Sequence, residues 1–168
     1  MTPQVGGAIR HRRLFGARGR AGFSAAELIV VVALVGVMFA LTIPFFLRYY
    51  QAAAVTSASQ QVVALLNQAR GLAIHENVPG GVCVHPSSTT QIQFVVDGCG
   101  GTVWIGAGTD AAGHFALPQG FTMGPATDVT FDYLGAAPGG AVTYTVANAS
   151  TGGTLAVSVA ISGRITSP

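Results

Sequence analysis

Two cysteines, four histidines and six carboxylates are the groups of this 168-residue chain suited to covalent, acid–base or metal chemistry. Cys83 and Cys99 could form a disulfide, stay as two buried thiols, or bind a metal together with His85. Cys83-Val84-His85 puts a thiol and an imidazole on one face of a strand. Structural zinc sites normally take four ligands, and only Cys99 lies near this pair in sequence. The disulfide is favoured if the segment meets an oxidising compartment. Asp128 and Asp132 alternate with Phe131 and Tyr133 and read as the solvated face of a strand, with a calcium site as the alternative. His75-Glu76 falls at a helix end, where an imidazolium suits the helix dipole, and His114 stands alone in a loop. No GxSxG, HExxH or Walker A string occurs, so no catalytic residue, no metal and no cofactor are expected.

The compartment follows from the charges and from one apolar run. Only 8% of the residues are charged and half are apolar, which excludes a disordered chain. The formal net charge of +2 hides a split. Residues 1–22 carry Arg10, Arg12, Arg13, Arg18 and Arg20 and no acid. Residues 23–168 carry Arg48, Arg70 and Arg164 against Glu27, Glu76, Asp97, Asp110, Asp128 and Asp132. Between Leu28 and Leu47 the chain reads LIVVVALVGVMFALTIPFFL without a charge. As a helix these residues span about 30 Å, the thickness of a bilayer's hydrocarbon core. The run is too long for a secretory h-region, and Pro44-Phe45-Phe46 is no small-residue cleavage site. The positive-inside rule puts the arginines in the cytoplasm and the C-terminal part across the membrane.

Glu27 stands at the edge of that run. A carboxylate there is costly unless it remains at the interface or finds a partner. The string GFSAAELIVVVALVGVMFALTIP resembles the processing site of type IV pilins and type II secretion pseudopilins. In that family a basic leader ends in Gly, Phe usually follows, Glu is the fifth mature residue and Pro often the twenty-second. Gly22, Phe23, Glu27 and Pro44 fall in that register. Ala25-Ala26 departs from the usual Thr-Leu, and the leader of 22 residues is longer than many. The resemblance implies that a prepilin peptidase cuts between Gly22 and Phe23 and N-methylates Phe23. It also implies that Glu27 pairs with the N-terminal amine of a neighbouring subunit. Gly22 suits such a site, since a missing side chain lets a protease approach the backbone.

Beyond Arg48 the apolar positions Val55, Ala58, Val62, Leu65, Leu66, Ala69, Leu72 and Ala73 keep helical spacing. An amphipathic helix over 48–75 is expected, continuous with a membrane and assembly helix over 23–47. From residue 76 the chain turns glycine-rich, with candidate strands at 81–85, 91–97, 102–105, 129–133, 141–147, 155–161 and 164–166. The first two could form a hairpin that brings Cys83 near Cys99. In the alternation Leu155-Val157-Val159-Ile161, one face should lie on the helix. Trp104 belongs to a core strand, and 106–124 is the longest loop. The whole predicts an α+β fold, a long N-terminal helix packed on an antiparallel β-sheet head. The order FDYLGAAPGG, strand, Gly-rich turn, strand, SGRI is similar to the GspH/FimT branch of minor pilins and pseudopilins. There a head of two sheets packs on the helix and a Gly-Arg pair closes the final strands.

The resulting expectation is a structural subunit, not an enzyme, assembled into a type II secretion pseudopilus, with a type IV pilus as the alternative machine. Its expected partners are the prepilin peptidase, other pilin or pseudopilin subunits, the inner membrane and a contacting exoprotein. Some FimT-type pilins bind DNA through a basic C-terminal surface. Phosphate contacts need several Lys or Arg side chains, and here only Arg164 matches, so weak or no DNA binding is expected. A membrane-anchored periplasmic enzyme has the topology in its favour but no site residues.

Overall fold

The computed structural model describes residues 22–167. Of the expected leader, only Gly22 falls among them. The chain divides into two compact units, Met1–Thr42 and Ile43–Pro168. One helix, α1 (Ala25–Glu76), runs through the boundary.

Helix α1 starts where Ser24 caps it: the Ala26 N–H donates to Ser24 Oγ at 3.3 Å, and the Leu28 N–H donates to the Ser24 carbonyl. In the first unit its side chains are exposed all round. A window of 18 residues has a mean hydropathy of 2.8 and no buried residue, enough to cross a membrane by length and composition. Pro44 lies inside the helix without ending it. In the second unit α1 buries Val55, Ala58, Ser59, Val62, Leu65, Leu66, Ala69 and Ala73, a stripe at spacings of three and four. Ser59 was not legible as a core residue. Its hydroxyl is satisfied locally by donating to the Thr56 carbonyl. The helix ends at Asn77, whose φ of 50° is the left-handed conformation of a helix C-cap, with Pro79 just beyond.

The head holds two antiparallel sheets. In the first, β1 (Val82–Ser88) pairs with β2 (Gln91–Val96) as a hairpin, and β6 (Val129–Phe131) pairs with the other side of β1. Strands β3 (Thr102–Val103) and β4 (His114–Ala116) share the outer edge of β2. The second sheet runs β5 (Phe121–Gly124), β7 (Val142–Asn148), β8 (Thr154–Val159), β9 (Ile165–Thr166). Val82, Val84, Ile92, Phe94 and Phe131 of one sheet and Tyr144, Val146, Val157 and Val159 of the other join the helix stripe in one apolar core.

Three expectations need correction. Residues 106–124 are not one long loop, for β4 and β5 lie inside them. Their inward residues, Phe115 with Leu117 and Phe121 with Met123, are spaced by two, the strand period. The segment 102–105 is not a core strand. Only Thr102 and Val103 pair, Ile105 is 62% exposed, and Trp104 alone turns inward to pack on Phe94 and Phe115. Ile161 does not continue the buried face of β8. It lies in the turn after the strand and is 60% exposed.

Candidate functional site

Gly22 and Phe23 precede α1 and are exposed, and no atom lies within 4 Å of where a Cβ on Gly22 would stand. Glu27 is the third residue of α1, where a carboxylate favours the positive end of the helix dipole. Ser24 and Glu27 also have the spacing of a capping box, a signal absent from the sequence reading. Pro44 lies 17 residues further along the same exposed helix.

In the head, Cys83 and Cys99 form a disulfide, with Cα atoms 5.0 Å apart. Strand β1 places Cys83 at the centre of its sheet, and Cys99 reaches it from the β2–β3 loop. Thr130 Oγ1 lies 3.4 Å from Cys99 Sγ. Beside the disulfide, His85 Nδ1 and Asp128 Oδ1 are 2.8 Å apart. The register Cys83↔Thr130 and Val84↔Val129 explains the pairing, since it sets Asp128 next to His85. Nothing in the sequence linked these two residues, which are 43 positions apart.

The other candidates have plain structural roles. Asp128 and Asp132 are not the solvated face of one strand, for they flank β6. Asp132 Oδ1 accepts the N–H groups of Leu134 and Ala136 and shapes the turn that follows. His114 is not alone in a loop. It belongs to β4, and its Nδ1 lies 3.2 Å from Asp110. The His114 backbone N–H, with that of Ala112, holds the Asp110 carboxyl below its ordinary range. His75 is exposed at the end of α1, 3.7 Å from Glu76.

Among the described residues three arginines remain. Arg70 is half-buried, and its Nε donates to the Gly135 carbonyl at 2.9 Å, tying α1 to the turn after β6. Arg164 is exposed between the β8–β9 turn and β9, and Arg48 lies on α1.

A long apolar helix whose later turns pack on an antiparallel two-sheet head is the architecture of a pilin-like protein. The model of the GspH family, described as type II transport protein GspH, matches residues 58–163. The chain belongs to the GspH family. Its members are structural pilin subunits, and the assignment gives this chain a role related to type II secretion. The match covers most of the head and most of the head-bound part of α1, so Gly22, Phe23, Glu27 and Pro44, and also Arg164 and β9, stand outside it. Comparison with curated proteins and with solved structures finds no significant match.

Proposed function

We propose that this chain is a minor pseudopilin, matured by prepilin peptidase and assembled into a type II secretion pseudopilus. In this reading the chain has four parts. Residues 1–22 are a leader, removed between Gly22 and Phe23, after which Phe23 is N-methylated. Residues 23–47 hold the subunit in the inner membrane and later pack in the filament. Residues 48–75 carry the head on the same helix, and 76–168 form a head facing the periplasm. Glu27 pairs with the N-terminal amine of a neighbouring subunit, which removes a charge that would sit badly against lipid.

The observation that carries this reading is the exposed, charge-free stretch from Leu28 to Leu47 in a chain with a GspH head. Such a surface must be covered, by lipid before assembly and by other helices after it. Processing separates this from a plain anchor. Gly22→Glu should block maturation, whereas Glu27→Ala should permit cleavage and impair incorporation into the filament. Normal maturation of Gly22→Glu would overturn the reading. Co-purification with pilus subunits instead of secretion subunits would move the chain to a type IV pilus.

A further inference from the structure

Arg48 is the first charged residue after the run from Leu28 to Leu47. Among the described residues its guanidinium has no carboxylate partner, for the close acid–base pairs all involve histidines. Arg70, by contrast, is occupied by the Gly135 carbonyl. Arg48, Gln51, Ala52 and Val55 share one helix face at spacings of three and four. With Thr151 and Gly153 of the β7–β8 turn they line a notch of about 300 Å³. The turn is closely held. Asn148 Oδ1 accepts the N–H groups of Ser150 and Thr151 at 2.9 and 3.2 Å, and the Gly152 N–H donates to the Asn148 carbonyl. Gly153 keeps the notch clear: a Cβ there would stand 3.1 Å from Val55 and 3.6 Å from Thr151 Oγ1. Tyr49 and Tyr50 stand beside it at 71% and 65% exposure. Such amphipathic rings favour a membrane–water boundary.

We propose that this notch binds the phosphate of a membrane phospholipid headgroup, with Arg48 supplying the charge and Thr151 and Gln51 the further hydrogen bonds. A guanidinium presents paired N–H groups that match two oxygens of a phosphodiester. Thr151 Oγ1 already accepts the Gly153 N–H at 3.5 Å, which leaves its O–H to donate. The Gln51 amide adds N–H donors. No acid lines the notch, so an anion meets no like charge there. Position selects the source of the phosphate. The inference rests on the reading that Leu28–Leu47 crosses the membrane. Arg48 then emerges one residue beyond the hydrocarbon, at the depth of the headgroups. One phospholipid is held against the head until the subunit leaves the membrane.

The test uses the full chain with ¹⁵N-labelled arginine, reconstituted in bilayers of phosphatidylethanolamine and phosphatidylglycerol. Solid-state NMR reads ¹⁵N–³¹P dephasing, and the signal missing from Arg48→Gln identifies Arg48. That signal should dephase as a direct guanidinium–phosphate contact does, and Thr151→Val should weaken the dephasing. In native mass spectra, retention of phosphatidylglycerol should fall about fivefold in Arg48→Gln and stay unchanged in Arg164→Gln. Arg48 and Thr151 are both exposed, so neither substitution should unfold the head. Full dephasing in Thr151→Val would overturn the notch and leave an arginine that merely reaches the interface. Equal dephasing by inorganic phosphate in phosphate-free detergent would overturn the lipid as its source. Alkaline extraction reads membrane insertion separately. A chain that resists extraction yet shows no Arg48 contact sinks this proposal alone, whereas a chain released by it sinks the membrane reading as well.

Discussion

Tyr144 shows how much one buried hydroxyl can report. Its ring lies in the core at 1% exposure, and its O–H donates to the Thr127 carbonyl at 2.7 Å. Burial pushes the phenol's pKa well above its ordinary value, and the Asp128 charge adds to the effect. The folded state therefore keeps this proton at a pH where the unfolded chain has begun to lose it. By linkage the contribution is intact below about pH 10 and shrinks as pH rises beyond it. Denaturant midpoints should fall above that pH in the wild type, and Tyr144→Phe should flatten the fall. At neutral pH the same substitution should cost about 1 kcal/mol for the lost hydrogen bond. A variant with the wild-type alkaline slope would contradict this assignment. At this scale the sequence exposed the disulfide, because two cysteines on neighbouring strand candidates had few alternatives. It hid the His85–Asp128 pair, because that contact depends on β1 choosing β6 as a neighbour, and no local pattern encodes that choice.

Among the elements, helix α1 was the most legible. Its charge-free run and later three-and-four spacing announced both its length and its buried face, and the structure extends it to Ala25–Glu76. Strands β4 and β5 were hidden by their three and four residues and by the glycines and prolines around them. Short strands of this kind owe their form to a neighbour's edge more than to their own propensity. The closing turn of the head yields a sharp prediction. Gly163 has a φ of 75°, and a Cβ there would run into the Gly135 carbonyl. Gly163→Ala should destabilise the head by roughly 2 kcal/mol or more, from left-handed strain together with the clash. Chemical denaturation measures it, and a loss near zero would mean that the turn after β6 yields freely. The glycine of the SGRI string thus has a physical reason: two turns pass too closely for a side chain between them.

For the whole molecule, the division of charge governs what the chain can contact. Past residue 22 only Arg48, Arg70 and Arg164 remain, and Arg70 is occupied by Gly135. Duplex DNA binding rests on several phosphate contacts and weakens steeply with salt. The chain without its first 22 residues should therefore show no salt-dependent binding of duplex DNA in anisotropy titrations at physiological ionic strength. Micromolar binding abolished by Arg164→Ala would reverse that conclusion. The family was legible from two separate stretches, the GFSAAE string and the FDYLGAAPGG to SGRI order. The GspH match falls on the second and leaves the first to experiment. The central claim is that this subunit is made as a precursor and matured at its amino end. Mass spectrometry of the chain recovered from membranes of its own cell tests it most directly. A chain that begins at N-methylated Phe23 is the predicted result. A chain that retains its arginine-rich segment, or begins anywhere other than Phe23, would contradict it.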